Sequence, residues 1–332
     1  MENKIAKLIK LVQKLPENCL DEAIEYIEEK LEEEMTDEPE LPCPECNSKD
    51  IQHYGKKGEK QRYRCKSCKK IYTKSTNTSI SHSHYGEAIW KQVIQDTVED
   101  VPLSKTATKL EMSESTAFRM RHKILMALEA EEGISPAVMS GVCELDDTFV
   151  LESLKGSKLP DTYWRKPRKH GAVAQKRGIS NEYVCISTGI QRDGAAYAQA
   201  ITRATPHPSD VVTVFGELIE SESLILCDGT MTYDDLGEHC NSTVMNVTRD
   251  SKGGKGFFNI NTVNNFHGFI KNKLQKYRGV ATKYLNRYNA FFSRAYRSDD
   301  DLVDSIYSIL MTNDGRRCHD VNDVRVLNLL NI

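Results

Sequence analysis

Two Cys-x-x-Cys pairs constrain this chain more than any other feature. Cys43-Pro-Glu-Cys46 and Cys65-Lys-Ser-Cys68 stand eighteen residues apart. A tetrahedral zinc ion takes four soft ligands, and each turn of this kind supplies two thiolates from one knuckle. The intervening segment is long enough for a strand, a turn at Lys57-Gly58 and a strand back, which predicts a ribbon over residues 41–80. A redox pair would be single and would sit beside a βαβ pattern. With four protein ligands the zinc keeps no open position, so it is structural. The other six of the ten cysteines are scattered through the 332 residues, which excludes a secreted disulfide framework and suits a reducing cytoplasm.

The net charge of -3 conceals an uneven distribution. Residues 1–40 carry five Lys and thirteen acids, whereas residues 49–74 carry ten Lys/Arg and two acids. Residues 154–178 hold eight basic residues against one acid, and residues 269–297 hold eight and no acid. Three basic blocks in an acidic chain point to a polyanion met at several places, DNA being the expected partner. Around the cysteines, Arg62, Arg64, Lys66, Lys69 and Lys70 alternate with Tyr63 and Tyr72, a pattern suited to phosphate contact and base stacking. No apolar run is long enough to cross a membrane, and lysines interrupt the N-terminal segment where a signal peptide would be apolar.

Helical spacing of Ile5, Leu8, Leu11 and Leu15, then of Leu20, Ile24, Ile27 and Leu31, predicts a helical hairpin over residues 1–40. Residues 81–130 contain a helix-turn-helix pattern: a helix over Pro102–Leu110, a turn at Glu111-Met112-Ser113, and a second helix over Thr116–Leu128 capped by Ser113 or Ser115. Its exposed face is expected to offer Arg119, Arg121, His122 and Lys123 to a major groove. Residues 141–297 read as three strands, then helices alternating with two further strands, then two helices. That order implies a mixed sheet covered by helices, not a doubly wound parallel one. Between the first two strands lies a basic loop with Arg165, Lys166, Arg168 and Lys169, placed to grip DNA; Trp164 either stacks on a base or anchors the loop. Residues 298–332 form a C-terminal tail.

Asp146 and Asp228 each close a predicted strand, at the end where open sheets bind ligands. Asn264 follows thirty-six positions after Asp228 on a predicted helix, and Lys271 lies two turns further along the same face. Two aspartates on adjacent strands with a third oxygen from a helix suit two magnesium or manganese ions about 4 Å apart. Lys271 is then placed to meet a phosphate. Asp147, Asp234, Asp235 and Asp250 are further acids in reach by sequence.

These motifs together resemble bacterial insertion-sequence transposases of the DDE superfamily, in the ISXO-two-like group with an N-terminal zinc ribbon. The segment CPECNSK…RYRCKSCKKIYT is similar to the group's ribbon, and PLSKTATKLEMSESTAFRMRHKIL to its helix-turn-helix. CELDDTFV, LILCDGTMTY and NINTVNNFHGFIKNKL look like its three catalytic blocks. The resemblance implies a multidomain α+β protein whose residues 141–297 are ribonuclease-H-like. It implies metal-dependent cleavage at transposon ends and attack of the freed 3′-hydroxyl on target DNA, by a homo-oligomer on paired ends in the cytoplasm, at the nucleoid. Asn264 departs from the glutamate usual in the superfamily. That departure keeps a second reading open, a DNA-binding protein with an inactive nuclease core. A zinc-ribbon module of transcription is a third reading, opposed by the two aspartates.

Overall fold

The computed structural model describes residues 41–312, except 59, 158–160, 162, 170–172, 229–230, 251–255 and 298–300. The hairpin expected over 1–40 and the end of the tail lie outside the described residues. The chain divides into two compact units between Lys74 and Ser75.

In the first unit, β1 (Ile51–Lys57), β2 (Lys60–Cys65) and β3 (Ile71–Tyr72) form an antiparallel three-stranded sheet in that order. Its core is small: Tyr63 and Tyr72 are buried beside Cys43 and Cys65, with Leu41 and Ile51 at the edge. So few apolar residues do not stabilise a fold of this size without a staple.

The second unit is built on five strands: β4 (Val142–Leu151), β5 (Tyr183–Gln191), β6 (Ala196–Arg203), β7 (Leu224–Cys227) and β8 (Thr243–Asn246). Their spatial order is β6-β5-β4-β7-β8. The first three pair antiparallel, and β7 and β8 join parallel to β4. This is the mixed sheet expected from the order of elements. Period-two alternation assigns the faces. Val184, Ile186 and Ile190 face one core, and Cys143, Leu145, Ile225 and Cys227 the other. Gly189 sits where β5 meets its neighbours most closely; a Cβ there would lie 2.7 Å from Leu145 and 2.8 Å from Phe215.

Helices cover both faces. On the first lie α1 (Glu87–Val98), α2 (Leu103–Lys109), α3 (Glu114–Ile134), α7 (Asn261–Lys276), α8 (Leu285–Arg297) and α9 (Leu302–Thr312). The second face is covered by α4 (Pro208–Phe215) and α5 (Asp234–His239); the short α6 (Val247–Asp250) follows β8. At the exposed edge, Asn286 receives the Ala200 N–H (2.7 Å) and donates to the Ala200 carbonyl (3.3 Å), satisfying one rung of β6.

Three boundaries differ from the sequence reading. Ile80 packs in the large core of the second unit, so the ribbon's unit ends at Lys74 and not at residue 80. Helices α1–α3 share that core with the sheet: Trp90, Ile94, Ile124 and Leu125 bury with Ile186, Phe291 and Phe292. Part of the expected tail is α9, whose Ile306 and Leu310 are buried there too. Each apolar side chain fully buried in this core contributes roughly 1.5–3 kcal/mol, which favours one joint core over small separate ones.

Candidate functional site

The two knuckles of the ribbon have the same build. Each turn ends in a residue of left-handed backbone just after its second cysteine, Asn47 and Lys69. The Asn47 N–H closes the first turn on the Cys43 carbonyl. Cys43 and Cys68 sulfurs are 3.4 Å apart, Cys46 and Cys65 3.6 Å, and all four lie within 4.8 Å of one another. Zinc–sulfur bonds of about 2.3 Å put tetrahedral sulfurs about 3.8 Å apart, so the four thiols fit the ion. The Cys68 backbone N–H draws Cys65 down to about 6. Cys68 is pushed up to about 12 by burial and its neighbouring thiols, against the pull of the Lys70 N–H. Thiols this close cannot all ionise until a cation joins them.

In the sheet, Asp146 does not end its strand. β4 runs on to Leu151 because β5 pairs with it along its whole length. The parallel partner stops earlier: the last rung is Leu145↔Cys227. Asp146 and Asp228 are the next residues on the two strands, so they stand side by side where β7 releases the chain. Asp228 is exposed, and its carboxylate accepts from the Thr248 hydroxyl. Asp146 is largely buried and takes the Asp147 N–H at 2.8 Å. Burial, with the charges of Asp147 and Asp228, pushes its carboxyl up to about 6, while Lys271 pulls it down. Among the described residues no third Asp, Glu, His or Cys completes a metal-sized cluster with this pair. Hard oxygen donors here fit magnesium or manganese, and a divalent cation would relieve the repulsion.

Helix α7 faces Asp146. His267 is buried, with Nδ1 3.8 Å from Asp146 Oδ2 and Nε2 2.6 Å from the Thr188 hydroxyl. Thr188 donates its only proton to the Asp146 carbonyl (2.7 Å), so it must accept from His267 Nε2–H. The Nδ1 lone pair is then left towards Asp146. Burial and Lys271 draw His267 down to about 4, so the ring is neutral at pH 7 and the 3.8 Å contact is no ion pair. Lys271 is exposed and acts on both groups. Asn264 is exposed one turn before His267, on the same face as Lys271. Asp147 points to the opposite face of β4; burial raises it, and the Ser187 hydroxyl donates to it. Tyr233 is buried on that side too, as packing. Neither belongs to the aspartate pair.

Glu144, Thr188 and Thr248 escaped the sequence reading. Thr188 pairs with Asp146 in the β4–β5 register, and that register depends on a connection whose length carries no local signal.

The residues expected to meet DNA divide. In the ribbon, Lys66, Lys69 and Lys70 are exposed, while the Arg62 and Arg64 guanidinium groups lie 5.4 and 5.5 Å from the Tyr54 ring centre. Helices α2 and α3 follow the expected pattern, Ser113 Oγ accepting the Thr116 N–H at 3.1 Å. Arg119 is exposed and Lys123 half-buried. Arg121 and His122, however, are buried: α3 is enclosed by its neighbours instead of presenting that face to solvent. Arg121 donates to the Val101 carbonyl (2.7 Å) and lies over Tyr277; His122 packs against Phe118 and Tyr284. Burial and nearby Arg287 hold His122 down to about 3. In the basic loop, Lys166 and Lys169 are exposed, but Arg165 and Arg168 turn inward to Glu152 and Glu182.

Residues 138–299 match the family model of the ISXO2-like transposase domain. The match covers just under half of the chain and makes that part a transposase domain of the DDE superfamily; it contains the ribonuclease-H-like sheet. Among solved structures it is similar to a pre-cleavage Mos1 transpososome, at 10% identity and TM-score 0.27 over 73% of this chain and 78% of that one. A second similar structure is the Mos1 transposase paired-end complex with left transposon end, at 10% identity and TM-score 0.27 over 69% and 80%. No curated protein matches significantly. No helix among the described residues is long and apolar enough to cross a membrane.

Proposed function

We propose that this transposase cleaves and joins transposon-end DNA by metal-dependent phosphoryl transfer at Asp146, Asp228 and Asn264. The observation that carries the reading is the pairing of Asp146 and Asp228 immediately beyond the last β4–β7 rung, opposite α7. Two magnesium or manganese ions held there would supply an activated water and stabilise the leaving oxygen of an in-line displacement. Asp146 and Asp228 provide the negative charge, and Asn264 provides a neutral carbonyl from the helix. Lys271, exposed on the same helical face, meets a phosphate oxygen. His267 stays neutral and offers its Nδ1 lone pair, its tautomer set by Thr188. Cys43, Cys46, Cys65 and Cys68 hold a structural zinc. Arg62, Arg64, Lys66, Lys69, Lys70, Arg119, Lys123, Lys166 and Lys169 contact DNA, and two copies of the chain act on paired ends.

The test is a magnesium titration of end nicking. Asp146→Ala and Asp228→Ala should each lose cleavage by about a thousandfold or more, with end binding retained. Asn264→Ala should need more magnesium, and Asn264→Glu, which adds charge at that position, should need less. If either aspartate variant nicks like the wild type, this site is wrong. If the wild type never nicks while it binds ends, the reading of an inactive core replaces it.

A further inference from the structure

We infer that Glu144 is a positioning residue of the catalytic centre, fixing helix α7 against the strand that carries Asp146. This rests on the metal-site reading above. Glu144 has 0% relative exposure, and an unpartnered carboxylate there would be costly. It is fully partnered, and its partners lie 48, 118 and 119 residues away. Its Oε2 accepts the Thr262 and Val263 backbone N–H groups at 2.8 and 3.0 Å. Its Oε1 accepts the Thr262 hydroxyl at 3.0 Å and Arg192 Nε at 2.7 Å. The free amides are those of the first turn of α7, where a helix leaves its N–H groups unpaired and its dipole favours an anion.

The placement joins two parts of the site. Glu144 and Asp146 are two residues apart on one face of β4, about 7 Å along the strand. Val263, at the other end of the clamp, directly precedes Asn264. Strand carboxylate and helix amide are thus fixed to each other by one side chain. Arg192 extends the clamp, donating to the Phe257 and Asn259 carbonyls (2.7 and 2.9 Å) just ahead of the helix. Arg297 holds the Gln191 and Arg192 carbonyls (2.7 and 3.0 Å). The far end of α7 is held independently: Lys273 and Lys276 pair with Asp100, each at 2.9 Å. Loss of Glu144 should therefore loosen the Asn264 end of the helix and leave the Lys276 end in place.

The experiment compares full-length wild type with Glu144→Gln, in which an amide N–H₂ would face a cluster of donors. Hydrogen–deuterium exchange is measured on zinc-loaded, magnesium-free protein, and magnesium dependence on nicking. Amides of the first α7 turns should exchange about tenfold faster, with β5 and β7 unchanged. Half-saturating magnesium should rise about tenfold, equivalent to about 1.4 kcal/mol, while the rate at saturation and end binding stay near wild type. Wild-type exchange in α7 overturns the inference, as does an even loss of protection across the second unit with an unchanged magnesium requirement. Thr262→Val removes one bond of the four and stands in if Glu144→Gln does not fold; about a threefold change in the same direction is expected, and none overturns the inference. Asp146→Ala runs alongside: if it nicks, the metal-site reading fails, while the magnesium-free exchange still decides on Glu144.

Discussion

The ribbon and the five-stranded sheet gather their polar groups in opposite ways. The ribbon takes four sulfurs from two four-residue turns and encloses them with two tyrosines. The sheet takes its groups from β4, β5, the end of β7, α6 and α7, segments as far apart as Asp146 and His267, and surrounds them with a large apolar core. In the first case local spacing sets the geometry and a bound metal would supply the stability. In the second, packing supplies the stability and register sets the geometry.

Breaking the ribbon should have the largest effect. Structural zinc contributes about 10–16 kcal/mol to small metal-dependent folds. Cys65→Ser, or chelation, should release the zinc and lower end binding by a hundredfold or more, while the melting of the second unit stays unchanged. Metal analysis and a binding titration check this. Zinc retained in Cys65→Ser would show that the four sulfurs are not the ligand set.

The sheet should answer to buried charge instead. Glu152, nearly inaccessible, receives Arg165 and Arg203 at 2.7 and 2.8 Å and the Tyr163 hydroxyl at 2.7 Å. Glu152→Ala takes the carboxylate from two guanidinium groups and should cost about 3–5 kcal/mol, read by denaturant unfolding of magnesium-free protein. A loss under about 1 kcal/mol would mean that the network is open to water.

A smaller effect, of opposite sign, is expected at Asp146. Its folded carboxyl is raised to about 6, so the folded chain holds that proton more tightly than the unfolded chain does. A raised acid adds stability as pH falls through about 6 and withholds it above. Asp146→Asn should therefore raise the melting temperature of magnesium-free protein by about 2–4 °C at pH 7.5, and the gain should vanish near pH 4.5. A gain constant with pH would locate the effect elsewhere.

What the sequence showed follows the same division. The zinc knuckles, the order of strands and the Ser113 cap were legible because each depends on neighbours within a few residues. Asp146 and Asp228 were singled out by their expected strand-end positions, and they do follow the last β4–β7 rung, although β4 runs five residues past Asp146 because β5 prolongs it. Glu144 was not found: its partners lie across the β4–α7 contact, and an acid two residues before Asp146 looks in sequence like a solvated position. Arg121 and His122 were misplaced for a related reason. A helix periodicity shows which face is apolar, but not that a second set of elements covers the polar face as well.

Charge count and available charge separate most clearly in the basic loop, and there the smallest effect is expected. Lys166 and Lys169 are exposed, whereas the Arg165 and Arg168 side chains are only 10% and 15% exposed and bound to Glu152 and Glu182. Each phosphate contact by an exposed cation releases about one counterion, and its loss flattens the salt dependence of binding by about one in logarithmic slope. Lys166→Gln with Lys169→Gln should therefore flatten the slope by about two and leave the melting temperature unchanged. Arg165→Gln should do the reverse, lowering the melting temperature and leaving the slope intact, because its guanidinium holds the Glu152 carboxylate and carbonyl and has none of its charge to offer. A flattened slope in Arg165→Gln, with its stability unchanged, would show that the arginine leaves Glu152 for DNA and that the loop opens when it binds.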